Sequence, residues 1–248
     1  TDPNGNTTYY EYDGNGRRTA TVDALGHRQS ATYNGVGNVL STTDGAGRTW
    51  SYTYEGRDLL TSVRDPYGNL TYHGYDERGL RTWTLTPNGV ATDSLLTHLH
   101  VHYWHYDDAG QVTCHINPEG GVTYFEHDEN GNVTAVIDPA GYRTEYTFDA
   151  SDRMLTETDA LTRVTQHHYT ARGQVDWTQD PMGQKIEFSY DPLGSLTART
   201  LPGPSQVTFA YDADGRRTRM TDPTGTTYWN YDARGQVVSR VDAFGATY

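Results

Sequence analysis

One cysteine, three methionines, five phenylalanines and a hydrophobic content of only 34% leave this 248-residue chain short of the usual materials of a thick core. Each shortage excludes something. The lone Cys114 rules out an intramolecular disulfide framework. No apolar run approaches the ~20 residues that a membrane-spanning helix needs, and no secretory leader is recognisable. Nineteen basic residues against thirty-two acidic ones give a net charge of −13. That sign repels a phosphate backbone, so nucleic acid is excluded as a partner. No segment carries a helical stripe, and no Gly-x-x-x-x-Gly-Lys loop offers a phosphate cradle.

What the chain does have is 26 glycines and 20 tyrosines. This mix is too aromatic for disorder and too polar for an aliphatic interior. It suits an extended sheet in which tyrosine is the amphipathic filler, with its ring packed and its hydroxyl left in water.

The tyrosines are periodic. An aromatic, usually followed by Asp, recurs at Tyr12, Tyr33, Tyr54, Tyr75, Tyr106, His127, Phe148, Tyr169, Tyr190, Tyr211 and Tyr231. The spacing is 21 residues, except for 31 between Tyr75 and Tyr106 and 20 between Tyr211 and Tyr231. A Gly follows four residues after most openings, an Asp or Asp-Pro eleven after, and a second Gly fourteen after. Departures are scattered: Asp58 and Asp152 replace the first Gly, Thr162 and Pro204 the second, and Thr86 and Leu201 the mid-repeat Asp. A fixed period of this length means one supersecondary unit joined to copies of itself.

Within each unit, aromatics alternate at positions two apart, as in Tyr52 with Tyr54, Trp104 with Tyr106 and Phe188 with Tyr190. Residues two apart share one face of a strand. Asp-x-x-Gly and Asp-Pro-x-Gly are turn chemistry, because Asp caps its own turn and Gly accepts positive φ. The chain therefore reads as all-β: tandem β-hairpins of about 21 residues, with neighbouring units placing their opening aromatics side by side as a ladder. The array runs over residues 1–248 as a single domain of about eleven repeats, cut mid-repeat at both ends, with an extended hairpin insertion at 86–105.

The motif Tyr211-Asp212-Ala213-Asp214-Gly215-Arg216, followed by Asp222-Pro223-Thr224-Gly225, resembles the YD repeat of bacterial Rhs proteins, insecticidal-toxin C subunits and teneurins. The resemblance covers nearly the whole chain. It implies a long antiparallel sheet that curves and spirals into a hollow shell, of which this chain is a piece. It also implies that the larger protein is secreted or delivered by a bacterial export system, with a C-terminal toxin domain enclosed. The family's self-cleaving core and its toxin domain are not found in these residues.

Chemistry-bearing candidates are few. The insertion carries His98, His100 and His102, which would share a face of one strand. Two of them, with an outside ligand, could hold Zn²⁺; otherwise no cofactor is expected, and a histidine-lined hairpin with Leu99, Val101 and Tyr103 packed behind is the plainer explanation. His167 and His168 point to opposite faces. Cys114 sits at a packing position, without an oriented base. Carboxylates occupy turns, so no catalytic residue is assigned and no enzyme is expected. Two functions remain: encapsulation, with adjacent repeats and a toxin domain as partners, and recognition, with rows of Tyr and Trp stacking on a glycan.

Overall fold

The computed structural model describes residues 5–87 and 100–247. Among these residues there are 22 β-strands and no α-helix. They fall into two compact units, residues 1–125 with 138–140, and residues 126–137 with 141–248.

The first unit holds β1 (Tyr9–Tyr12), β2 (Arg18–Val22), β3 (Arg28–Tyr33), β4 (Val39–Thr43), β5 (Thr49–Tyr54) and β6 (Leu60–Arg64). It continues with β7 (Leu70–Tyr75), β8 (Arg81–Leu85), β9 (Val101–Tyr106), β10 (Val112–Ile116) and the start of β11 (Val122–His127). Each strand pairs antiparallel with the next, from β1–β2 through β10–β11. The second unit holds β12 (Val133–Ile137), β13 (Arg143–Phe148), β14 (Met154–Thr158), β15 (Val164–Tyr169), β16 (Val175–Gln179) and β17 (Lys185–Tyr190). Then come β18 (Leu196–Thr200), β19 (Gln206–Tyr211), β20 (Arg217–Asp222), β21 (Gly225–Tyr231) and β22 (Val237–Val241). The same meander pairs β12–β13 through β21–β22.

The two turns of a repeat, different in sequence, are the same object. At Asp13 the backbone N–H bonds the Arg17 carbonyl at 2.9 Å and the Gly16 N–H returns to the Asp13 carbonyl at 3.0 Å. At the mid-repeat Asp23 the same pair of bonds joins His27 and Gly26. In both, one carboxylate oxygen accepts the N–H groups two and four residues on: Asn15 and Arg17 at Asp13, Leu25 and His27 at Asp23. The fourth residue of the corner must take positive φ, so Gly stands there in most copies. The three described non-glycine residues with positive φ are Asp58 at 61°, Asp152 at 59° and Thr162 at 62°. All three are repeat positions where sequence replaces Gly, so the corner geometry outlasts the glycine.

The 20-residue spacing also has a local cause. Asp222 pairs directly with Gly225, so Pro223 and Thr224 alone make the turn. The Thr224 N–H and hydroxyl both donate to the Asp222 carboxylate, at 2.8 and 2.5 Å. One residue is saved, and the ladder continues.

The core is thin. Fully or nearly buried hydrophobic residues are Ala20, Val101, Ala135 and Val207, joined by Ser62, Thr84 and Thr227. Strand side chains alternate instead between half-covered and exposed, as in β5, where Trp50, Tyr52 and Tyr54 are half-buried and Thr49, Ser51 and Thr53 are exposed. One face therefore carries the aromatics and the other mostly Ser, Thr and charged residues.

Candidate functional site

The sites with the most chemistry are the joints between repeats. Ten of the opening aromatics stand at a β-bulge: Glu11 faces Ala20, but Tyr12 faces Arg18, so Thr19 is an extra residue on β2. The Arg18 carbonyl stands beside this bulge and beyond the paired residues of β2 and β3, and the Tyr33 hydroxyl of the next repeat donates to it at 2.8 Å. The bond recurs from Tyr54 to Val39, Tyr75 to Leu60, Tyr106 to Arg81, Tyr169 to Met154, Tyr190 to Val175, Tyr211 to Leu196 and Tyr231 to Arg217, at 2.7 to 2.9 Å. Burial raises the pKa of Tyr54, Tyr106 and Tyr190, keeping each hydroxyl protonated as a donor.

This corrects two expectations. The hydroxyls are bonded to backbone, not left to water. Consecutive opening tyrosines are also not side by side: β4 lies between Tyr33 on β3 and Tyr54 on β5, a separation of ~10 Å at the ordinary strand spacing. Tyrosine joins repeats through its hydroxyl and a carbonyl rather than by ring contact. Phe148 and His127 occupy the same position without a hydroxyl. Tyr12, on the first strand, has no described strand before it and is 60% exposed.

A second joint runs between successive opening corners. Arg17 binds its own corner through Asp13 at 2.7 Å, donates to the Asn34 carbonyl of the next corner at 2.8 Å and lies 4.9 Å over the Tyr33 ring. Arg153 does the same with Asp149, Thr170 and Tyr169, and Arg216 pairs with Asp212 under Tyr231. Arg57, Arg78 and Arg172, two residues earlier in their corners, reach the next corner's carbonyls at Asp76, Asp107 and Pro192. Where Asp replaces the corner Gly, the repeat before it carries Asn in place of Arg. Asn38 donates to Asp58 at 2.8 Å and Asn132 to Asp152 at 2.7 Å.

The insertion disturbs this pattern. His98 lies outside the described residues. The His100 carbonyl accepts from the Thr86 N–H just ahead of β9, and β9 then carries His102, Trp104 and Tyr106 on the aromatic face. The neighbour that meets the His102 ring is His115 of β10, at 3.0 Å, a residue only the strand register brings there. His73 bonds Thr84 on the same face. Of the residues expected behind the histidines, Val101 is buried but Tyr103 is 41% exposed. Tyr103 belongs to an apolar break in the polar face: Gly74, Trp83, Tyr103 and Ile116 align across β7 to β10. A Cβ on Gly74 would sit 1.9 Å from the Trp83 indole nitrogen, so glycine there makes room for the ring. Cys114 faces His105 and Tyr124 across the ladder. Among the described residues, no three His, Cys, Asp or Glu side chains are arranged to hold a metal ion.

Sequence reasoning missed the arginine and asparagine joints and the tyrosine hydroxyl bonds. The signal was present, since Arg follows Gly in Tyr-Asp-x-x-Gly-Arg, but its partner lies in the next repeat.

No relative among curated proteins matches the chain significantly. Among solved structures, the fold resembles that of the Photorhabdus luminescens Tc holotoxin pore, a TccC3 mutant, with a TM-score of 0.59 and 13% identity over 97% of this chain. It also resembles TcdB2-TccC3 without its hypervariable C-terminal region, with a TM-score of 0.56 and 14% identity over 95% of this chain. The chain spans 18% and 17% of those two chains. The model of the RHS Repeat family matches residues 1–28, 33–70, 106–141, 127–164, 190–227 and 211–247. With matches over most of its length and hairpin corners at the matched positions, the chain belongs to the Rhs repeat family.

Proposed function

We propose that this chain is a wall segment of a container built by a larger, exported bacterial protein. The container encloses a C-terminal toxin domain until delivery, and the segment itself carries out no chemistry. The observation that carries this is the continuity of the joints within each unit. Ladder, bulge, tyrosine hydroxyl and corner arginine tie each repeat to the next, which is what a wall requires and a binding site does not. The acidic balance of −13 keeps such a strand-rich surface soluble. The resemblance to Tc toxin structures supports the same reading.

The test uses the full parent chain. Protease protection of the segment that follows the repeats is compared with that in a Thr156→Pro variant. Thr156 pairs with both Thr147 and Gln166, so proline there breaks an interior ladder. Protection in the parent and cleavage in the variant are expected. Equal cleavage in both would defeat the container.

A second function, glycan recognition, draws on the exposed Tyr72, Tyr103 and Tyr124, at 39%, 41% and 51%, since such rings stack on sugars. Binding on a glycan array that disappears in Tyr103→Ala would favour it.

A further inference from the structure

His102 and His115 present a pair of nitrogens that the joints do not use. Their Nδ1 and Nε2 atoms lie 3.0 Å apart across β9 and β10. The ring planes differ by 7° and the centroids are 5.2 Å apart. Parallel planes with nitrogens so much closer than centroids put the imidazoles edge to edge, with ring nitrogen aimed at ring nitrogen. Trp104 flanks both, at 5.8 Å from His102 and 5.1 Å from His115, and the Arg81 guanidinium lies 5.1 Å beyond it.

We propose that His102 and His115 form a two-imidazole chelate for a borderline divalent transition ion, namely Zn²⁺, Ni²⁺ or Cu²⁺, completed by water. Imidazole is the natural ligand for these ions. Bonds of ~2.0–2.1 Å in a tetrahedron hold two nitrogens roughly 3.3 Å apart, so binding needs the observed pair to open by a few tenths of an ångström and each ring to turn until both nitrogens point at the ion. The strand pair already fixes both backbones. The 3.0 Å contact is an N–H···N hydrogen bond, so one of the facing nitrogens carries a proton that ion binding releases or shifts to another ring nitrogen. The chelate runs across two strands rather than along one, which separates it from a site made of His98, His100 and His102. Other candidates stand elsewhere. His73 bonds Thr84, on the far side of β8 from His102, and His105 pairs with Cys114 on the opposite face.

The experiment titrates the 248-residue chain with Cu²⁺, Ni²⁺ and Zn²⁺ by calorimetry, and counts nitrogen ligands on bound Cu²⁺ by electron paramagnetic resonance. One saturable equivalent is expected, tightest for Cu²⁺, with two coordinated nitrogens. His102→Gln and His115→Gln should each weaken it by roughly tenfold or more, while His73→Gln leaves it unchanged. Wild-type affinity in His115→Gln, or loss in His98→Gln or His100→Gln, would move the ligands to one strand and overturn the chelate. If a Gln variant fails to fold, the wild-type spectrum decides: two nitrogens uphold the pair, and any other number, or no saturable binding, removes it.

Discussion

The opening corners and the mid-repeat corners share one backbone and differ in what their side chains reach. Arg17, Arg153 and Arg216, at opening corners, bond their own Asp and cover the next tyrosine, and their side chains are only 26%, 32% and 30% exposed. Arg48 and Arg163 make the same bond to Asp44 and Asp159 at mid-repeat corners but remain 57% and 62% exposed. The corner tips do not differ: Leu25, Tyr67, Met182 and Phe244 at mid-repeat tips and Leu193 at an opening tip are all more than 80% exposed. The hairpin needs both corners equally, and the joint between repeats is carried mainly by one of them.

Acid should erase what the corners share. Hydrogen bonds hold ten corner carboxylates below the usual aspartate range: chiefly the partner's backbone N–H at Asp13 and Asp212, and a partner side chain at Asp23, Asp44, Asp65, Asp128, Asp149, Asp159 and Asp222. Asp76 is lowered despite an opposing desolvation, through Leu80 and Arg78. A depressed carboxylate pKa stabilises above the unfolded value of ~3.9 and loses that contribution as pH falls through the folded value. The thermal midpoint should therefore hold steady from pH 7 to about 5 and collapse below about 4. A midpoint indifferent to acid would mean the corner bonds are not formed.

Substitution at the strained position should show that the backbones are equal. Gly79 at an opening corner and Gly26 at a mid-repeat corner have φ of 83° and 85°. Valine at either should cost about 1–2 kcal/mol through the left-handed conformation. Denaturant midpoints that differ widely between the two variants would break the equivalence.

The joints should then show that the side chains are unequal. Tyr190→Phe removes the bond to the Val175 carbonyl and should cost about 1 kcal/mol, whereas Tyr67→Phe, at an exposed tip where the hydroxyl meets the Arg48 side chain, should cost less than about 0.5 kcal/mol. A double-mutant cycle between Asn132 and Asp152 should give a coupling of about 0.5 kcal/mol. Zero coupling would make their pairing incidental. Smallest of all, Met182→Ala at a tip 83% exposed should stay within about 0.5 kcal/mol of the parent.

Much of this was open to a reader of the sequence. Alternating Tyr52 and Tyr54 announced strands, and the Asp and Gly landmarks announced corners, because φ preference and side-chain capping are properties of a few consecutive residues. A metal site reads along one strand in the sequence, which shows only His98, His100 and His102 together. His115 is the neighbour of His102 through a register that no local pattern records. The hydroxyl of Tyr33 reads as solvated for the same reason: its acceptor is fifteen residues away, beside a bulge.

By itself the sequence determined the repeat, its strands and its corners, because hairpin geometry is settled within each 21-residue unit. Only the tertiary structure decided which groups of one unit meet those of the next. Tyr33 with Arg18 and His102 with His115 are contacts between strands, and Asn132 with Asp152 a contact between corners; all are set by pairing register and bulge position, and those depend on the whole ladder rather than on any one of its segments.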